Sequence, residues 1–525
     1  MDMLKKNLKT ILENIPLHYR STERALDVLV TGIQYDSREV NSGHIFVALE
    51  GGNVDGHLYI ESAVNKGAAA IVGTQEVRKW NRLPVPYLQF ANAREALAYL
   101  SASYYDYPSR SMVLIGVTGT DGKTTTSNFI YQILRTAGLK AGMISTVNAQ
   151  IGDEILDTGF HVTTPEAPAV QYYLWKMKEA GLTHVVLEAT SHGLAQQRVV
   201  GCDFDIAVVT NITHEHLDYH GSYQEYLRAK GLLFESLTKT PVKEFFQKKI
   251  AVLNKDDQSF DYLTKITQVE QIHYSIADKT DIWTQNVRIE PEGSHFTACG
   301  NDFTVEVYTH LPGEFNISNA LAGLSTGIFG LQLEPEVAAR GIENMRYVPG
   351  RMEQIRLGQN FQAIVDFAHT PKALEKAILT VKKITKGRVI AIFGSAGLRD
   401  RLKRRMMAET SAQLADITII TAEDPRTESL DAILAEMQKA AEEQGAVLGK
   451  TLFIVPDRGR AIELGVEIAQ PGDVVMPCGK GHEQSMCFGE EEYLWDDRTA
   501  MKAALSKLLN IPGPEMPYLP TRDQF

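Results

Sequence analysis

The chain has 525 residues, 44% hydrophobic and 22% charged, the composition of a globular protein with material for about three domains. Its formal net charge of -12 argues against nucleic acid or an anionic membrane as a partner, because phosphate polymers repel an acidic surface. Four scattered cysteines without a C-x-x-C pair argue against a disulfide scaffold or a structural zinc site, and no run approaches the roughly 20 apolar residues of a bilayer span.

The N-terminus is amphipathic and mixed in charge rather than signal-like, so the expected address is the cytoplasm. Residues 1–109 alternate short strand-like runs, 45–49 and 69–72, with helical stretches, and Tyr107-Pro108-Ser109 marks a break. From residue 110 the pattern turns strongly β-α-β. A buried-strand run at 113–117 leads through a glycine-rich turn into a helix carrying Phe129, Ile130, Ile133, Leu134 and Ala137, with Gly138 just past its end. Apolar strands follow at 184–188, 206–211 and 249–254. A second series begins near 350, with strands at 363–366, 389–394, 417–421, 452–455 and 474–476, and a proline-rich tail after Ile511 that should wrap the surface. Alternating strands and helices predict largely parallel sheets covered on both faces. The expected fold class is therefore α/β, in three domains.

The sharpest local signal is Gly116-Val117-Thr118-Gly119-Thr120-Asp121-Gly122-Lys123-Thr124-Thr125. Between a strand and a helix, such glycines let backbone N–H groups close around phosphate oxygens. Lys123 would reach the outer phosphates and the Thr124 hydroxyl would ligate magnesium. The common phosphate loop has a glycine where Val117 stands, so the loop indicates nucleotide binding without fixing the class of enzyme. Asn254-Lys255-Asp256-Asp257 and Asp218-Tyr219-His220-Gly221 imitate guanine-nucleotide motifs, but Asp218 lies too far beyond Lys123 for a compact switch domain.

Glu188 ends an apolar strand, where open α/β sheets build their sites. The next strand runs into Thr210-Asn211-Ile212-Thr213-His214-Glu215-His216, and His220 follows closely. Lys230, on the helix expected around Glu225–Phe234, reads by itself as a surface residue.

The blocks GVTGTDGKTTT, EATSHGLAQQR, TNITHEHLDYHGS, YLRAKGLLF, LPGEFNISNALAG, VPGRMEQI, VDFAHTPKALEKAI and CGKGHEQ, in this order from about residue 30 to about 500, resemble the Mur ligases, above all the branch that adds the third amino acid. The resemblance implies a UDP-substrate domain over 1–109, a central phosphate-loop ATPase domain with a parallel sheet over 110–346, a Rossmann-like amino-acid domain over 347–510, and a tail over 511–525. It implies an ATP-dependent amide ligase of peptidoglycan precursor synthesis that works through an acyl phosphate, with two magnesium ions and small-molecule partners; a monomer is compatible with the sequence, which does not itself fix the oligomeric state. Gly119, Thr120, Asp121, Gly122, Lys123, Thr124 and Thr125 would cradle ATP. Asn319 would meet adenine, Asp366 the ribose, Arg351 a phosphate, and His369 would lie nearby. Glu188, His216 and Thr124 would belong to the metal site, with Lys230 matching the family's carbamylated lysine. Ser37, Thr163, Thr164, Thr190, Gln196 and Arg198 would hold the UDP-muramoyl dipeptide. Thr190 stands where serine is usual, and Glu215 where aspartate is usual.

The same resemblance assigns the incoming amino acid to Arg399, Asp424, Arg426, Gly479 and Glu483. Two arginines suit the distal carboxylate of meso-diaminopimelate, since guanidinium binds carboxylate bidentately. Asp424 replaces the family's asparagine and Glu423 its aspartate. The charge that Asp424 adds would suit the ammonium of lysine or ornithine instead. Other readings are another Mur-like amide ligase, of the folylpolyglutamate or cyanophycin type, and a nucleotide switch that ligates nothing.

Overall fold

The computed structural model describes residues 4–51, 54–146, 149–152, 154–156, 164–213 and 217–522. Two compact units emerge: residues 1–123, 137–273 and 329–332 form one, and residues 124–136, 274–328 and 333–525 the other. His216 and Thr163 lie outside the described residues.

The first unit opens with a five-stranded sheet in the order Arg20–Ser21, Tyr87–Gln89, Ala70–Gly73, His44–Val47, Gly32–Gln34. Period-two alternation divides its side chains. Ile45 and Val47 pack with Leu97 and Leu100 of the helix Ala93–Tyr104, whereas Phe46 and Ala48 pack with Ile60 and Ala63 on the other face.

The same unit carries five parallel strands in the order Ala141–Ile144, His184–Glu188, Val113–Thr118, Ile206–Val209, Ile250–Asn254. Their residues are almost wholly apolar and buried, as a sheet covered on both faces requires. The chain passes from Val113–Thr118 to Ala141–Ile144 and back to His184–Glu188 on one side, then crosses to Ile206–Val209 on the other, a reversal of the kind that opens a crevice at the C-terminal end of the strands. Antiparallel edge strands, Ala149–Ile151 and Glu154–Leu156, extend the sheet beyond the parallel set that the sequence pattern predicts.

In the second unit Ile282–Glu290, Gly293–Gly300 and Thr304–Thr309 form an antiparallel meander, a departure from the expected parallel series. Its turns fall at Pro291-Glu292-Gly293 and Gly300-Asn301-Asp302, residues that favour tight reversals. A six-stranded sheet follows, ordered Glu353–Ile355, Gln362–Val365, Val474–Pro477, Val389–Phe393, Ile417–Ile420, Leu452–Ile454, parallel except at its first strand. Ala391 and Phe393 face one helical layer and Ile390 and Ile392 the other. The tail does more than wrap the surface. Leu519 is buried in this second core, and the Thr521 hydroxyl donates to Asp457. No helix of the described residues is long and apolar enough to cross a membrane.

Candidate active site

The buried strand Val113–Thr118 delivers the phosphate loop to the crevice. Gly119 has φ +151° and Gly122 φ +82°, and a Cβ on Gly119 would collide with the Thr210 hydroxyl. The loop is fixed from the neighbouring strand end. Thr120 N donates to Asn211 O (2.6 Å), Asp121 N to Asn211 Oδ1 (3.1 Å), and the Thr210 hydroxyl to Asp121 O (2.6 Å).

Two ammonium groups converge on one carbonyl of this loop. Lys123 Nζ donates to Gly119 O (3.1 Å) and Thr120 O (2.8 Å), and Lys230 Nζ donates to Gly119 O (2.6 Å). Lys230 is 1% exposed, so the sequence-only reading of a surface lysine is corrected. It projects from the helix Tyr223–Lys239, whose Tyr226 ring lies under its ammonium and whose Tyr226 hydroxyl meets that of Thr120 at 2.9 Å.

Glu188 is fully buried and pairs in register with Val117, just ahead of the loop. Its Oε2 accepts from the Thr146 hydroxyl (3.0 Å), a partner that sequence reasoning missed. The buried Glu188 carboxylate, with the Thr146 hydroxyl on it, is the kind of oxygen ligand that suits magnesium. That ion takes one or two carboxylates and leaves its remaining positions to phosphate and water. Among the described residues no group of three or more His, Cys, Asp or Glu gathers as a denser metal cluster would.

Four of the expected dipeptide residues, Thr164, Thr190, Gln196 and Arg198, form a connected group. Thr164 Oγ1 donates to Glu188 O (2.9 Å), accepts from Thr190 N (3.0 Å) and lies 3.0 Å from Thr190 Oγ1. The Thr190 hydroxyl in turn caps the short helix Ser191–Ala195 through Gly193 N. Arg198 donates to Thr164 O (2.7 Å) and Gln196 Oε1 (2.8 Å) and pairs with Glu166 at 2.7 Å. Glu166 and Tyr35 were not singled out in the sequence. The Tyr35 phenol is raised first by burial and then by the Glu166 charge. Ser37 is half-buried, and its carbonyl accepts from Lys66.

In the second unit Arg351 Nη2 donates to Thr124 Oγ1 (3.3 Å), and its guanidinium lies over the Phe367 ring. Asp366 directly follows the strand Gln362–Val365. Its two oxygens accept from Met352 N (2.7 Å) and Ala368 N (2.8 Å), so the carboxylate also organises its own turn. His369 lies in that turn, with Nδ1 3.0 Å from Phe367 O. Asn319 is buried on the helix Glu314–Ser325, behind Gly313.

The residues expected to meet the incoming amino acid follow three adjacent parallel strands. Arg399 is exposed beyond Val389–Phe393, Asp424 and Arg426 follow Ile417–Ile420, and Gly479 and Glu483 follow Val474–Pro477. Asp424 departs from the sequence expectation. It is 6% exposed and bound to Lys480 Nζ (2.9 and 3.1 Å), so its charge is paired with a cation of the protein itself. Lys480 sits inside the CGKGHEQ block but carries no signal of this pairing. Glu423 is buried against Gly479, where φ is +106° and a Cβ would stand 2.0 Å from the carboxylate. Burial, opposed by Arg458, pushes Glu423 up to about 7.

Profiles of known families match in three successive stretches: the Mur ligase family catalytic domain over 29–105, the Mur ligase middle domain over 117–327, and the Mur ligase glutamate ligase domain over 350–481. The UDP-N-acetylmuramyl-tripeptide synthetase of Roseiflexus sp. (strain RS-1) is 42% identical over 487 residues, 91% of this chain and 95% of that protein. The chain belongs to the Mur ligase family. As a Mur ligase it is an ATP-dependent ligase. It is also 38% identical over 502 residues to the UDP-N-acetylmuramoyl-L-alanyl-D-glutamate--2,6-diaminopimelate ligase of Geobacillus thermodenitrificans, covering 95% of this chain and 99% of that one. A solved structure of a ligase with the same name superposes with TM-score 0.65 at 28% identity, over 95% of this chain and 99% of its own.

Proposed function

We propose that the chain joins meso-diaminopimelate to the D-glutamyl carboxylate of UDP-N-acetylmuramoyl-L-Ala-D-Glu, using ATP, in the cytoplasm. The reading rests first on the two ammonium groups that share the Gly119 carbonyl beside the buried Glu188. Like charges held this close repel, and a polyanion between them relieves that repulsion. The terminal phosphate of ATP has the required charge.

A carboxylate oxygen of the glutamyl residue attacks the γ-phosphorus as the bond to ADP breaks. The amine of the amino acid then attacks the acyl phosphate, loses a proton, and expels inorganic phosphate as the amide forms. Lys123 and the loop N–H groups orient the terminal phosphate, and Arg351 approaches the phosphates from Thr124. Asn319, Asp366 and His369 receive the nucleoside. Thr163, Thr164, Thr190, Gln196 and Arg198 hold the dipeptide, and Ser37 the uridine end. Two magnesium ions, when bound to Thr124, Glu188, His216 and a carbamylated Lys230, would neutralise charge on the transferred phosphoryl group. Carbamylation, addition of carbon dioxide to the neutral amine with loss of a proton, would also remove the repulsion between Lys230 and Lys123.

Diaminopimelate is favoured over lysine because Lys480 answers the Asp424 charge, which leaves Arg399 and Arg426 to read a distal carboxylate. The name of the Geobacillus relative supports the same choice. The domains are taken as 1–109, 110–346 and 347–510, with a tail to 525. Phosphate release should require ATP, the nucleotide dipeptide and an amino acid together, and mass spectrometry should find the diaminopimelate adduct when lysine and ornithine compete. Ligation retained by Lys123→Ala, or a lysine adduct in excess, would contradict the proposal.

A further inference from the structure

Lys480 is fully buried between two carboxylates that come from different loops. It binds both oxygens of Asp424, in the segment after the strand Ile417–Ile420, and stands 2.6 Å from Glu483 Oε2 in its own turn. Asp424 is tied from a third side by Cys487 N (2.9 Å), at the start of the hairpin Ser485–Leu494. Burial by itself would lower the Lys480 ammonium; Glu483 and Asp424 more than reverse it.

The geometry around this cation is demanding. Asp424 has φ +41° and Arg426 φ +54°, left-handed conformations that side chains other than glycine adopt only when neighbours impose them. Arg426 is held through its backbone, with N donating to Cys487 O (3.1 Å) and O accepting from Gly489 N (2.8 Å). The segment that presents the Arg426 guanidinium and the turn that presents the Glu483 carboxylate thus meet at one ammonium.

We infer that Lys480 is a positioning residue for the incoming amino acid: it fixes Glu483 relative to Arg426 and touches no reacting atom. The inference rests on the proposed ligase reading and gives Lys480 a role beyond pairing with Asp424. A merely structural role would end with neutralising Asp424. Positioning requires that Glu483 lose its place even when Asp424 no longer needs a counter-charge.

The test compares Lys480→Met with the double variant Lys480→Met/Asp424→Asn in the full chain, reading KM for diaminopimelate, ATP and the nucleotide dipeptide separately. The single variant leaves a buried carboxylate unpaired and should lose thermal stability. The double variant should recover that stability, yet keep a diaminopimelate KM about tenfold or more above the parent, with both other KM values unchanged. If the single variant does not fold, the double variant carries the measurement. A parental diaminopimelate KM in the double variant, or a rise in all three constants together, would overturn the inference. Failure of the parent chain to join any amino acid would instead overturn the ligase reading, and is seen before a variant is made.

Discussion

Single residues decide the chemistry here, and several carry meanings that their neighbours in sequence do not reveal. Lys230 has no periodicity to separate it from a solvated helical lysine; only the resemblance of YLRAKGLLF marks it in the sequence, and the fold takes it to Gly119. Asp424 misleads more strongly, because its charge is paired with Lys480, 56 positions away. The same neighbourhood yields a pH dependence. With Glu423 raised to about 7 from an ordinary 4.5, the folded state keeps a proton that the unfolded chain releases between those values. Stability should therefore fall as pH rises through that window and level off above it. The groups bearing on Glu423 are Arg458, Lys403, Asp424 and Lys480. Glu423→Gln should gain in Tm over the parent between pH 5 and pH 8, and a difference independent of pH would count against a proton on Glu423. Gly479→Ala should cost on the order of 1–3 kcal/mol in denaturant melts, from its positive φ and the clash with that carboxyl.

At the level of elements, buried parallel strands were legible because they read as unbroken apolar runs. The antiparallel meander was not read as such, although its turn residues mark it. The helix that carries Lys230 starts at Ser222, whose hydroxyl accepts from Glu225 N at 3.2 Å. Ser222→Ala should lower stability by about 1 kcal/mol in thermal melts while leaving ligation intact. Thr190 joins two duties, capping Ser191–Ala195 and meeting the Thr164 hydroxyl. Thr190→Ser should keep both and preserve KM for the nucleotide dipeptide. Thr190→Val should raise that KM several-fold, and equal behaviour of the two variants would remove Thr190 from the site.

Across the whole molecule, the α/β class and a division into three domains could be read from the alternation of strands and helices. The family could be read from ordered motifs. What could not be read is which charges the fold pairs with one another, since that depends on strand order rather than on spacing. The central claim is that these parts activate a carboxylate as an acyl phosphate. It is tested most directly with the nucleotide dipeptide labelled with 18O in the D-glutamyl carboxylate. One labelled oxygen should appear in the inorganic phosphate for each amide formed; phosphate free of label would contradict the account.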